Sequence, residues 1–269
     1  MTVSQTTQTE LIRVAHALAD AARPVTLAHF RASALVADNK DTGGFDPVTA
    51  ADRGAEKAMR AVLADARPDD AILGEEFGHQ SGTTGLTWVL DPIDGTRGYI
   101  SGTPTWGVLI SVADAQGPLF GLIDQPYIGE RFAGGFGVSE LHGPIGHLAL
   151  QCRSARPLAQ ATVLTTFPEV GTAQEGAAFH AVANRAQLTR YGMDCYGYAL
   201  LAAGQVDLVI EAGLNAYDIQ APIAVIQAAG GMVTDWLGGP AHEGGRVIAA
   251  ANPEIHAEAL AIIKDMPFG

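Results

Sequence analysis

The run Trp88-Val89-Leu90-Asp91-Pro92-Ile93-Asp94-Gly95-Thr96 organises the rest of the sequence. An apolar strand, Trp88-Val89-Leu90, ends in two carboxylates with Pro92 and Ile93 between them. A turn at this point lets Asp91 and Asp94 converge. Pro92 fixes the chain and interrupts a regular ladder, so the Ile93 carbonyl is free to turn inward. Two carboxylates and a carbonyl form a hard-oxygen site that suits magnesium better than zinc. Gly95 and Thr96 lead toward a helix, and the N–H groups at a helix start form a cradle for phosphate. Alone, the run is also ordinary turn chemistry.

Three further acidic segments add weight. Gly74-Glu75-Glu76 follows the short strand Ala71-Ile72-Leu73. Asp46-Pro47-Val48-Thr49-Ala50-Ala51-Asp52 opens a helix expected over Ala51 to Ala66. Tyr217-Asp218 precedes a helix expected over Ile219 to Ala229. Each has a plainer reading: Asp52 as a first-turn helix carboxylate, Asp218 as an N-cap, Glu75 and Glu76 as a solvated turn. Open α/β sheets nevertheless place their chemistry at strand ends.

Outward from these segments, apolar spacing predicts a first helix over Glu10 to Arg31, through Leu11, Val14, Leu18 and Ala22. A loop follows from Asp38 to Asp46, and Pro68-Asp69-Asp70 is a turn. Strands are expected at Thr105 to Ala113, Leu119 to Ile123 and Glu130 to Gly134, which makes the first half helices on a largely antiparallel sheet. Gly, Pro and Arg cluster between Leu141 and Pro157, which suggests halves at about 1–145 and 146–269. The second half alternates strands (Ala161 to Thr166, Val206 to Glu211, Met232 to Thr234, Val247 to Ala250) with helices (Ala173 to Ala186, Cys195 to Ala203, Ile219 to Ala229, Ile255 to Lys264). The pattern is a layered α+β or α/β fold.

Composition narrows the function. The 269 residues carry a formal net charge of −13, with Lys and Arg scattered singly, so no basic stripe exists for nucleic acid. No apolar run spans a bilayer, and the polar start lacks a signal-peptide pattern, so a cytoplasmic protein without membrane association is expected. Cys152 and Cys195 read as reduced, partly buried thiols. No His-Glu-x-x-His, Walker A or Gly-x-Ser-x-Gly motif occurs, and His142 and His147, flanking a Gly/Pro loop, read as surface residues.

Taken together, Val48-Thr49-Ala50-Ala51-Asp52, Gly74-Glu75-Glu76, the Trp88–Thr96 run and Tyr217-Asp218 resemble, in order, the signatures of the inositol-monophosphatase superfamily of metal-dependent phosphatases. Arg97-Gly98-Tyr99, the run Leu188 to Tyr196 and Gly230 to Trp236 are similar to its histidinol-phosphate phosphatase members. The resemblance implies an αβαβα sandwich, a homodimer, and hydrolysis of a small phosphate ester with two or three Mg2+ ions, for which Mn2+ can substitute. It implies that Glu75, Asp91 and the Ile93 carbonyl hold one magnesium and Asp91, Asp94 and Asp218 a second. Asp52 and Thr96, with Glu75 nearby, would activate the attacking water. Gly95, Thr96 and Arg97 would face phosphate, and Asp194, Glu211 and Asp218 the rest of the substrate. The implied reaction is release of L-histidinol from its phosphate in histidine biosynthesis. Phosphatases for inositol phosphate or for 3′(2′),5′-bisphosphate nucleotides, and a non-catalytic metal- or partner-binding member of the fold, are the alternatives.

Overall fold

The computed structural model of the chain describes residues 3–32, 37–39, 47–167, 169 and 171–266. The expected loop from Asp38 to Asp46 lies largely outside them, as does Asp46 itself.

Helix α1 (Gln5–His29) starts where the Ser4 side chain accepts the Thr7 N–H, five residues before the apolar spacing placed it. A short pair, β1 (Ala37–Asn39) and β2 (Pro47–Thr49), leads into α2 (Ala50–Ala66). Next come β3 (Ala71–Gly74), β4 (Gly78–Gln80), β5 (Thr87–Asp94) and the short α3 (Thr96–Ser101). A meander follows: β6 (Gly107–Asp114), β7 (Gly117–Gln125), β8 (Glu130–Gly135), β9 (Val138–Gly143) and β10 (Gly146–Ala149). Among the described residues these form one sheet of order β10-β9-β8-β7-β6-β5-β3-β4, antiparallel except where β3 pairs with β5. The largely antiparallel first sheet is therefore present. It also gains β4, β9 and β10, which apolar patterning does not mark; every residue of β10 is exposed.

The rest of the chain runs β11 (Thr162–Thr165), α4 (Ala173–Ala183), β12 (Leu188–Tyr191), α5 (Asp194–Ala202), β13 (Leu208–Asn215), α6 (Ala216–Ala228), β14 (Met232–Asp235), β15 (Gly244–Ala250) and α7 (Pro253–Lys264). The second sheet has the order β12-β11-β13-β15-β14, with β11 parallel to both its neighbours and the remaining pairs antiparallel.

Side-chain alternation stacks these elements into five layers. On one face of the first sheet, Trp88, Val108, Ile110 and Phe120 pack against Leu11, Leu18, Met59 and Leu63 of α1 and α2. On its other face, Leu109, Ile123 and Phe132 pack against Ile219, Ile223 and Ile226 of α6. That same inner layer receives Leu164, Val209 and Val247 from the second sheet, whereas the alternate residues Val163, Leu208 and Ile248 meet Phe179, Ile255 and Ile262 of α4 and α7. The order is α1/α2, sheet, α5/α6, sheet, α4/α7, the αβαβα sandwich. Helix α6 lies very close to the first sheet because β7 and β8 present Gly121 and Gly134: a Cβ at Gly121 would stand 2.4 Å from the Ala221 carbonyl oxygen, and one at Gly134 2.5 Å from the Val225 Cα. The last strand of the first sheet ends at Ala149, and α6 from the second half serves both sheets.

Candidate active site

Strand β5 does not stop at Leu90 for a turn; it continues through Asp94, and the break in alternation is a bulge. Asp91 pairs with Leu109 and Asp94 with Gly107 on β6, so three steps on β5 face two on its neighbour. Residues three apart in a regular strand point to opposite faces. The extra residue reverses the alternation and brings both carboxylates to one side. The convergence expected from the sequence is present, but a bulge rather than a turn produces it. Ile93 N–H donates to Asp91 Oδ1 at 3.0 Å, which holds the bulged segment closed.

Asp218 arrives from the opposite direction. It is not a cap before the helix but the third residue of α6, whose N-cap is Asn215. Its Oδ2 accepts the Asn215 N–H at 2.6 Å, so the capping box aims the carboxyl. Carboxylate oxygens of Asp91, Asp94 and Asp218 lie within 4.8 Å of one another. Burial, then the charges of Glu75, Asp94 and Asp218, push the Asp91 carboxyl well above the usual carboxylate range. Burial, then Asp218 and Asp194, do the same to Asp94, although it accepts the Cys195 N–H at 2.6 Å. Glu75 follows β3, anchored by its N–H to the Leu90 carbonyl at 3.1 Å, and its side chain reaches Asp91. Like charges gathered below the surface, with only oxygen donors among them, fit a hard divalent cation. Asp91, Asp94 and Asp218 could hold such an ion, with Glu75 beside Asp91.

Beside them, Asp52 is buried at the third position of α2. Its Oδ2 takes the Thr49 N–H and hydroxyl in a capping box, which leaves Oδ1 facing the Thr96 hydroxyl at 3.5 Å. Thr96 also donates to the Ile93 carbonyl at 3.0 Å. The plain capping role of Asp52 and its position at the site are thus both real. Gly95 precedes α3 with φ +83°, and a Cβ there would stand 2.6 Å from the Asp194 Cγ.

A cleft of about 580 Å³ opens over this centre and is lined by Arg97, Asp194, Tyr198 and Glu211 among others. Asp194 is in the left-handed region, φ +47°, and accepts the Thr105 hydroxyl at 2.8 Å; burial pushes its carboxyl up against that bond. Glu211 accepts from Thr166 N–H at 2.6 Å and from the Thr165 hydroxyl at 3.0 Å, yet burial still raises it to about 7. The Arg97 guanidinium stacks 5.0 Å over the Phe167 ring. Of the site residues expected from the sequence, all but Asp52 line this cleft; Asp52 is buried beside it, behind Thr96.

One support was not visible in the sequence, and Tyr198, expected to pack or line the site, does line it. Glu56 of α2 is fully buried, paired with Arg60 at 2.8 Å, and accepts the Glu76 N–H at 2.7 Å, which fixes the turn that carries Glu75. Its only sequence signal is a carboxylate beside the apolar stripe of α2. Tyr198 is buried with its hydroxyl among Glu211, Asp94 and Asp218, which raise its pKa further after burial.

Comparison with known proteins gives the same picture. A model of the inositol monophosphatase family matches residues 7–267. A chloroplastic bifunctional phosphatase of Arabidopsis thaliana is 40% identical over 96% of this chain and 77% of its own length. A histidinol-phosphatase of Streptomyces coelicolor is 34% identical over 93% of this chain and 95% of its own. The solved structure of an inositol monophosphatase from Zymomonas mobilis superposes with a TM-score of 0.84 at 37% identity, covering 97% of this chain and all (100%) of that one.

Proposed function

Since this chain belongs to the inositol monophosphatase family, we propose that it is a magnesium-dependent phosphomonoesterase that hydrolyses L-histidinol phosphate. The observation that carries the phosphatase reading is the convergence of Asp91, Asp94 and Asp218 from two separate elements beside the Asp52–Thr96 pair. Bound magnesium would supply Lewis-acid charge neutralisation of the phosphoryl oxygens and a lowered pKa for a coordinated water.

The chain's own groups supply the rest. Phosphoryl transfer needs positioning and charge compensation more than covalent help. Thr96, held by the Ile93 carbonyl, orients the attacking water, and Asp52 Oδ1 behind it accepts the proton. The N–H groups of Gly95 and Thr96 face the phosphate, with Arg97 at the rim. Asp194 and Glu211 present carboxyl groups to the remainder of the substrate. An ammonium or imidazolium there would form charge-assisted bonds, which supports histidinol phosphate and accords with the name of the Streptomyces relative.

The Zymomonas structure, called an inositol monophosphatase, favours a second reading in which the same carboxylates accept sugar hydroxyls. Initial rates on both phosphate esters with magnesium separate the two. A kcat/KM for histidinol phosphate at least tenfold above that for inositol monophosphate is expected, because an unpaired buried polar group costs about 1–3 kcal/mol. Equal values remove the histidinol reading, and no phosphate release from either removes both.

A further inference from the structure

At the far edge of the first sheet, three metal-binding side chains meet on one face of a hairpin. β9 and β10 are joined by the two residues Pro144 and Ile145, with Gly143 opposite Gly146. This short loop fixes the register, and the register sets His142 directly opposite His147. Glu140, two residues before His142, points to the same face. Glu140 Oε1 lies 3.1 Å from His142 Nε2, and Oε2 lies 2.9 Å from His147 Nε2. One atom from each of the three lies within 4.8 Å of the others.

The geometry points to a second metal site here, in which Glu140, His142 and His147 bind zinc or a similar borderline divalent cation. Two imidazoles and a carboxylate are a nitrogen-rich set that zinc takes with a fourth position left to water, whereas magnesium prefers oxygen alone. The imidazole rings now stack at 4.0 Å and 13°, so at least one must turn about χ2 to bring both lone pairs onto one ion. That torsion is soft, and the two side chains are 49% and 57% exposed, which leaves the rings open to solvent on one side. The nearest fixed cation, Arg131, is committed to Asp124 and Asp20, each at 2.7 Å. The site is also remote from the acidic cleft: β9 is four strand spacings from β5, about 19 Å.

Zinc competition against a chromophoric chelator, run on the whole chain with magnesium saturating the cleft, tests this. The wild type should take up one more zinc ion than the His142→Ala/His147→Ala double variant, and zinc should shift the ring resonances of both histidines. Zinc that enters the cleft counts equally in both proteins and cancels. His142→Ala alone should weaken the site at least about tenfold. Equal stoichiometry in the two proteins, or uptake that leaves both ring signals unmoved, overturns the assignment. If the double variant unfolds early without metal, Glu140→Gln carries the test: it keeps a hydrogen-bonding side chain and removes the charge. Zinc affinity unchanged from wild type in Glu140→Gln then overturns the site.

Discussion

Replacing Asp94 by Asn should move the stability of the protein in opposite directions with and without metal. Asp94 belongs to a trio of carboxylates within 4.8 Å, and each pair at that separation repels by about 3 kcal/mol at an effective dielectric of 20. Protonation relieves part of this, since burial and Asp218 already drive the Asp94 carboxyl up. A net relief of about 1–2 kcal/mol remains, or roughly 2–8 °C in Tm for a chain of this size. Asn still accepts the Cys195 N–H, so the local backbone has no reason to shift. With magnesium at a hundred times its Kd, the wild type gains about 2.7 kcal/mol, roughly 5–10 °C. A variant that binds a hundredfold more weakly gains only about 0.4 kcal/mol. Thermal unfolding of both proteins, with a chelator and with magnesium, reads all four values. An Asp94→Asn protein whose magnesium-induced shift equals that of the wild type refutes the ligand assignment. One whose metal-free Tm drops by several degrees refutes the repulsion argument.

Asp52→Asn and Thr96→Ala should lower kcat by roughly 10²–10⁴ with little change in magnesium affinity; a loss confined to metal binding moves Asp52 into the ligand set. Asp194→Ala should raise KM for histidinol phosphate while sparing a generic aryl phosphate, and equal losses on both would make Asp194 a structural residue. Gly95→Ala should cost about 1–3 kcal/mol in urea unfolding, from a left-handed backbone and a Cβ 2.6 Å from the Asp194 Cγ. Burial alone would raise the Asp70 carboxyl, but hydrogen bonds from Arg67, Thr84 and Trp88 hold it below the ordinary range. Its contribution is thus present above the unfolded carboxylate pKa, about 3.9, and lost as the pH falls through the lower folded value. Asp70→Asn should flatten the acid limb of a stability–pH curve, and an unchanged limb would count against that pairing.

The carboxylate centre was legible because each member follows an apolar strand or opens a helix, and such boundaries are marked locally by side-chain pattern. What lies in partners distant along the chain was not. The bulge at Asp91–Asp94 exists only relative to Leu109 and Gly107 on β6, so the run itself read as a turn. Glu56 supports Glu75 through the Glu76 N–H 20 residues away, and a carboxylate beside the apolar stripe of α2 does not by itself reveal that partner. The α6 boundary was misread because the apolar stripe starts at Ile219, whereas the capping box that starts the helix is polar. The β9–β10 hairpin carries no sequence signal for the opposite reason: with β10 exposed throughout, no alternation of apolar and polar residues survives to mark a strand.

Helix α6 has a consequence for how the chain is made. It is the inner filling of both sheets and carries Asp218, yet it follows the strands it covers on the first sheet by some 80 to 110 positions in the order of synthesis. Until it emerges, the face of β6, β7 and β8 that carries Leu109, Ile123 and Phe132 is covered only in part, by α5, and the two glycines that α6 packs against are left bare. A ribosome-bound chain ending before residue 216 should therefore be a sticky intermediate that engages chaperones, and release should coincide with the appearance of α6. Because Asp218 travels on that same helix, the catalytic centre and the burial of the nascent sheet are completed in a single late event, so no partly made chain carries a working site.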